Sequence, residues 1–150
     1  MSLHHGDPRP RVDYRIEECD DPRIDDVSFL RDRLIEFNRQ FLGTDAREPL
    51  AVFARDAGGS IVGGLSGVVS RGWLHVELLW VAPEMRGAGL GRELVERAER
   101  RARERSCAGV LVETYDFQAL SFYETGGYER FATLDGYPVG SRQHYLAKRL

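Results

Sequence analysis

The segment from Trp73 to Tyr115 does most to limit what this chain can fold into. Trp73 to Val81 (WLHVELLWV) is the most apolar run in the sequence and reads as a strand. Ala82 to Gly91 is a loop rich in glycine. A helix follows from Leu90 to about Ser106, with Leu90, Leu94, Val95, Ala98 and Ala102 on one face. Gly109 to Tyr115 (GVLVETY) is a further strand. Two strands joined through a whole helix are expected to lie parallel, with a right-handed crossover. That unit places the chain in the α/β class.

The flanking sequence supplies antiparallel partners. Val12 to Cys19 sets Val12, Tyr14 and Ile16 among polar residues, the alternation of a half-buried strand. Asp20-Asp21-Pro22 turns into a helix from Ile24 to Leu42, where Val27, Leu30, Leu34, Phe37 and Phe41 recur at steps of three and four before Gly43. Leu50 to Arg55 and Ile61 to Ser70 form a hairpin about Asp56-Ala57-Gly58-Gly59, and Arg71-Gly72 leads into the Trp73 strand. Beyond the crossover, a short helix from Phe117 to Glu124 stops at Gly126-Gly127. Two last strands, Tyr128 to Leu134 and His144 to Lys148, flank Asp135-Gly136-Tyr137-Pro138. The order is β-α-β-β-β-α-β-α-β-β, uninterrupted by linker or repeat. Residues 11–150 are expected to form one domain behind a disordered lead-in at residues 1–10. His4 and His5 fall in that lead-in and read as a mobile tail rather than a metal site. On the second helix, Glu93–Arg97, Glu96–Arg100 and Glu99–Arg103 are spaced i,i+4, as on a solvated face.

Composition excludes several classes. A chain of 150 residues, 42% hydrophobic and 30% charged, is ordinary globular protein. At this size roughly 70% of the unfolded surface is buried on folding. No apolar run approaches the ~20 residues of a membrane helix, so no membrane partner is expected. With 21 basic against 24 acidic residues the net charge is −3, which speaks against a basic nucleic-acid surface. Lys148 is the only lysine. Cys19 and Cys107 are too few for a disulfide scaffold or a Cys-built zinc site, and a reduced, cytoplasmic setting with no metal is expected.

The glycine turn carries the chemistry. Val81-Ala82-Pro83-Glu84-Met85-Arg86-Gly87-Ala88-Gly89-Leu90-Gly91-Arg92 ends a strand, turns on glycines and opens a helix. The first N–H groups of a helix have no intrahelical partner, and the dipole adds positive charge there. Phosphates bind such sites. Glycines let the backbone approach, and Arg86 and Arg92 add full charges. The spacing is not that of the dinucleotide fingerprint, and the P-loop Lys-Ser/Thr is missing. A purely structural turn with positive φ is the other reading.

Arg86-x-x-Gly89-x-Gly91, after a strand ending Leu79-Trp80-Val81-x-Pro83, resembles the acyl-CoA motif of the GNAT family of N-acetyltransferases. Ala119-Leu120-Ser121-Phe122-Tyr123-Glu124-Thr125-Gly126-Gly127-Tyr128 is similar to the same family's later helix-to-strand segment: an alanine, a tyrosine four residues on, then a glycine–aromatic pair. The element order agrees over roughly Val12 to Leu150. The resemblance implies a mixed, mostly antiparallel sheet with helices on both faces and a parallel strand pair that splays at the CoA site. It implies that the backbone of Leu79, Trp80 and Val81 pairs with the pantetheine arm. The N–H groups of Gly87, Ala88, Gly89, Leu90, Gly91 and Arg92 would cradle the pyrophosphate. Ala119 matches the family's alanine, and Asp116 stands where many members have asparagine. An ionised aspartate accepts hydrogen bonds but donates none. Tyr123 matches the tyrosine that protonates the departing thiolate. The family often dimerises, so a homodimer is an accompanying expectation.

Acetyl transfer to an amine needs a base for the ammonium, a donor for the oxyanion and help for the leaving thiolate. Glu77 and His75 lie two residues apart on the Trp73 strand and are expected to share a face with Leu79 and Val81. The family's bases sit at these positions; Glu77 is the first candidate and His75 the second, either acting through a water. Phe122 is expected to point into the core and Tyr123 to stand at the mouth of the splay. Cys107, before a strand at a helix end, reads as a packing residue rather than an acyl carrier. The expected activity is direct acetyl transfer from acetyl-CoA to a primary amine of a small molecule or peptide. The other reading is an acyl-CoA sensor without chemistry.

Overall fold

A computed structural model of the chain describes residues 13–44 and 46–150. The lead-in at 1–10, with His4 and His5, lies outside the described residues. The chain divides into two compact units, Met1–Phe41 and Leu42–Leu150, each taken by itself below.

In the first unit α1 (Ile24–Leu42) forms as the apolar spacing predicts. Asp25 and Asp26 complement the dipole at its start and Arg39 at its end. Phe37 and Phe41 pack one turn apart, with ring centroids 5.6 Å from each other. The strand expected over Val12 to Cys19 does not form among the described residues. Residues 13–19 have no regular structure, and Tyr14 and Ile16 are 82% and 83% exposed. Alternation makes a segment fit for a sheet, but a strand exists only where a neighbour takes its N–H and C=O groups. No ladder partner meets this segment.

The second unit holds the strands β1 (Glu48–Arg55), β2 (Ile61–Ser70), β3 (Trp73–Val81), β4 (Gly109–Tyr115), β5 (Glu129–Asp135) and β6 (Arg142–Arg149), with α2 (Leu90–Glu104) and α3 (Leu120–Thr125). They form one six-stranded sheet in the order β1-β2-β3-β4-β6-β5. Every pairing is antiparallel except β3 with β4, which is parallel through the α2 crossover. Leu50, Leu65, Leu74, Val110, Val112 and Leu146 project from one face onto Leu94, Val95, Ala98 and Ala102 of α2, with Tyr123 and Tyr128 completing the cluster. Full burial of each large aliphatic side chain contributes roughly 1.5–3 kcal/mol. No described helix is long and apolar enough to cross a membrane.

Glu99 departs from expectation. It is 4% exposed, not on the wet side of α2. One turn from Val95, Ala98 and Ala102, it falls at the edge of the buried stripe. Lys148 Nζ lies 2.9 Å from both of its oxygens, and the Tyr128 hydroxyl donates to Oε1 at 3.0 Å. The only lysine thus pairs with a buried carboxylate, and the Arg103 guanidinium one turn on lies 3.8 Å from Glu99 Oε2.

One irregularity organises the site. Ser66 pairs with Leu78 but Gly67 with Val76, so Glu77 is an extra residue bulging from β3. Gly67 permits the close approach: a Cβ there would stand 2.2 Å from the His75 carbonyl oxygen. The bulge reverses the alternation of β3. Leu74 and Val76 face the core before it, and Leu79 and Val81 after it. His75 therefore does not share a face with Leu79 and Val81, contrary to the unbroken period of two. The parallel ladder with β4 stops at Val76–Val112, where the bulge begins. Beyond it residues 77–81 and 113–115 are not paired with each other, and the two strands splay.

Candidate active site

The splay opens a cleft of about 760 Å³. Residues 76–81 of β3 form one wall, and Glu113 and Thr114 of β4 face them. The glycine turn and the first residues of α2 close one end. Phe117 to Ala119 and residues 121–123 of α3 close the other side.

At the α2 end, the first intrahelical bond runs from the Glu93 N–H to the Gly89 carbonyl, 3.0 Å. The N–H groups of Leu90, Gly91 and Arg92 have no intrahelical acceptor. Gly89 caps the helix in the left-handed conformation (φ 88°), and Gly87 is also left-handed (φ 78°). No heavy atom lies within 4 Å of where a Cβ would sit on either, so the turn presents bare backbone. Arg86 Nε donates to the Val81 carbonyl at 3.0 Å, which folds the turn back onto the end of β3. Its guanidinium and that of Arg92 both line the cleft. Bare N–H groups, a helix dipole and two arginines fit a polyphosphate, as the pyrophosphate of CoA requires. Leu79, Trp80, Val81, Arg86, Gly87, Gly89, Leu90, Gly91, Arg92 and Ala119 line the cleft; Ala88 and Asp116 do not.

Asp116 is turned to β6 instead. Its Oδ1 lies 2.6 Å from His144 Nε2 and its Oδ2 accepts from Arg142 Nε at 3.0 Å. The His144 hydrogen bond, then the Arg142 one, holds its carboxyl below the usual range. With Asp116 ionised, His144 Nε2 donates to it, and His144 Nδ1 lies 3.0 Å from Thr133 Oγ1. The turn that follows is set by Thr114 Oγ1, which accepts from the Ala119 N–H (3.2 Å), and by Gln118 Oε1, which accepts from the Tyr115 N–H (3.2 Å). This turn launches α3, whose first bond is Tyr123 N–H to Ala119 carbonyl, 3.1 Å.

Tyr123 is 5% exposed and forms the back of the cleft, not its mouth. Its ring packs edge-on against Phe122 and Tyr128, with centroids 5.2 and 5.4 Å away. Phe122 is the less buried of the pair and also lines the cleft, its ring within 3.4 Å of a Cβ placed on Gly91. Burial raises the Tyr123 phenol to about 12. Among the described residues its hydroxyl has no protein partner, yet the one buried side-chain polar atom without a partner there is Gln143 Oε1. The Tyr123 hydroxyl therefore keeps some solvent access, and the residue lines the cleft and a small pocket behind it.

Glu77 projects from the bulge into the cleft, and His75 is not among the lining residues. Glu113 is a second carboxylate in the lining, and the sequence reading missed it. The signal that could have found it is a lone charge inside the apolar strand GVLVETY. Gln143 Nε2 donates to Glu113 Oε2 at 2.7 Å. Among the described residues neither Glu77 nor Glu113 is within ion-pair distance of a cation. The cleft can therefore take a phosphorylated chain at the α2 end and a cation near its carboxylates. Among the described residues no cluster of His, Cys, Asp and Glu could hold a metal.

Comparison with known proteins agrees with this geometry. The acetyltransferase (GNAT) family matches residues 14–128. The chain is 46% identical over 133 residues to a blasticidin-S acetyltransferase of Streptomyces morookaense, covering 86% of this chain and 97% of that one. It is 36% identical over 120 residues to acetyltransferase Atu2258 of Agrobacterium fabrum, covering 80% and 88%. A crystal structure of an acetyltransferase from Bacillus cereus superposes with a TM-score of 0.83 at 27% identity, covering 89% of this chain and 98% of that one.

Proposed function

This chain belongs to the acetyltransferase (GNAT) family, and from that premise we propose that it transfers acetyl from acetyl-CoA directly to a primary amine of a cationic small molecule. One observation carries the reading. A single cleft brings a bare, positively polarised helix start together with a carboxylate on a bulge and a buried phenol. CoA phosphates would bind the N–H groups of Leu90, Gly91 and Arg92, with Arg86 and Arg92 as counter-charges. The pantetheine arm would lie along the unpaired edge of residues 79–81 of β3, as an added strand would.

Glu77, directly or through a water, takes a proton from the ammonium. The freed amine attacks the thioester carbonyl carbon to give a tetrahedral adduct, its nitrogen loses a second proton to solvent, the C–S bond breaks, and CoA leaves as a thiolate. Tyr123 is the donor to that sulfur. With the phenol at about 12 and a thiol near 8.5, complete transfer of its proton is uphill by roughly 3.5 units. Tyr123 therefore acts chiefly by holding a hydrogen bond to the developing thiolate, which water then protonates. The free thiols Cys19 and Cys107 suit a cytoplasmic setting.

Blasticidin S is the first acceptor to try, given the 46% identity to an enzyme named for it. The protein is incubated with acetyl-CoA and blasticidin S, then with a panel of primary amines. Release of free thiol and gain of one acetyl group by the acceptor are expected. CoA binding without thiol release from any amine would leave an acyl-CoA sensor as the better reading.

A further inference from the structure

We propose that the sheet face turned away from α2 carries an acceptor subsite for a flat cationic group, built by Glu113, Gln143, Tyr115, Phe117 and Tyr137. The proposal rests on the acetyltransferase reading and names the kind of acceptor that reading leaves open.

Val110, Val112 and Thr114 of β4 are buried, so the alternate residues Glu113 and Tyr115 face the other way. Gln143 of β6 pairs directly with Tyr115 in the ladder. Phe117 lines the cleft and stacks on Tyr115, with centroids 5.2 Å apart and planes 13° from parallel. Tyr137, from the turn between β5 and β6, brings a third ring 6.4 Å from Tyr115. Phe117 and Tyr137 are more than half exposed. The three rings make an aromatic shelf that joins the cleft at Phe117, where a flat group would stack and a cation would meet the negative ring faces.

Gln143 adds an independent observation. It is 6% exposed, its amide nitrogen donates to Glu113, and its Oε1 is the one buried side-chain polar atom left without a partner among the described residues. Native proteins rarely leave such an acceptor open. The hydrogen bond from Nε2 to Glu113 sets the amide, which leaves Oε1 of the same group as the open acceptor. A ligand group with several N–H donors in one plane would use Glu113, offer a donor to the Gln143 amide behind it, and lay its face on the shelf. An aliphatic ammonium could use the carboxylate and a ring face, but it has no plane to stack on the shelf. With the flat cation on the shelf, an amine a few bonds away reaches Glu77 across the same cleft.

Three primary amines of graded chemistry test this. Para-(aminomethyl)benzamidine is flat and cationic at its far end, para-(aminomethyl)benzamide is flat and neutral there, and hexamethylenediamine is cationic but not flat. By thiol release, kcat/KM for the benzamidine is expected to exceed both others by about tenfold, the scale of one cation–π or charged hydrogen-bond contact. Tyr137→Leu should lower its advantage over the diamine by about tenfold, mainly through KM, and Glu113→Gln should lower its advantage over the benzamide similarly. The same compounds are titrated by calorimetry into CoA-saturated protein, with CoA affinity of each variant confirming a folded site. Acetylation without preference for the benzamidine, or a preference that survives both variants, overturns the subsite and leaves the acetyltransferase reading intact. Benzamidine binding that depends on Tyr137 and Glu113, with no amine acetylated, supports the subsite and overturns acetyl transfer. Neither binding nor transfer overturns both.

Discussion

Glu77 stands in the cleft because it is the extra residue of a bulge, and among the described residues no cation lies beside it. In its proposed role as base it accepts the ammonium proton. Glu77→Gln keeps its shape and removes that capacity. The rate at neutral pH is expected to fall about 10²–10⁴-fold. The deficit should shrink as pH rises and the acceptor deprotonates unaided, which a pH–rate profile of both proteins checks. Wild-type activity in the variant at pH 7 would move the base elsewhere. Tyr123→Phe removes one hydroxyl from the back of the cleft. Because the proposed role of the phenol is only to donate a hydrogen bond to a fair leaving group, the loss is expected near 10²-fold or less, with CoA affinity unchanged. With its phenol raised to about 12, Tyr123 stays protonated past pH 10, so any basic limb below that pH belongs to another group. Single-turnover kinetics in both proteins settle the size of the effect.

Among the elements, β3 decides most. The ladder to β2 tolerates the bulge only because Gly67 lies opposite, with no Cβ to meet the His75 carbonyl. Gly67→Ala is expected to destabilise the protein by about 1–3 kcal/mol through forced displacement of the strand. Since the displaced strand carries Glu77, activity should fall further than stability alone explains. Denaturant melts and kcat measured on the same samples check this. The β4–β6 pair has its own tie at Asp116. Its carboxyl is held below the ordinary value of about 3.9 by His144 and Arg142, so the stabilisation is complete above that value. It is lost as pH falls through the folded value. Wild type should therefore lose melting temperature below about pH 4 more steeply than Asp116→Asn, and the two curves should converge in acid. Parallel curves across that range would show that the pair contributes nothing.

For the second unit as a whole, ligand binding and stability are one quantity. A ligand present at 100 times its Kd stabilises the folded state by about 2.7 kcal/mol. CoA is accordingly expected to raise the melting temperature by several degrees. Gly89→Asp should abolish the rise: Gly89 holds φ 88°, which side chains rarely adopt, and a carboxylate there repels the pyrophosphate. A folded variant that still gains the full shift would place the phosphates elsewhere.

Local signals were enough for most of the framework. The helix spacings gave α1 and α2, the apolar runs gave β3 and β4, and the crossover made these two strands parallel. Arg86, Gly89 and Gly91 marked the phosphate turn because a helix start and its glycines are read within a few residues of sequence. Tertiary structure decided what depends on a distant neighbour. Residues 13–19 carry a strand's alternation but find no pairing strand among the described residues. Glu99 has a wet-face spacing yet is buried, because Lys148 reaches it from β6. Asp116 sits beside the cleft in sequence and is drawn out of it by His144 and Arg142. The bulge separates His75 from Glu77, and no period of two contains it, since it forms where Gly67 of another strand lets two backbones come close. Periodicity encodes which face a residue prefers; register, and therefore which carboxylate enters the cleft, is set only when strands meet.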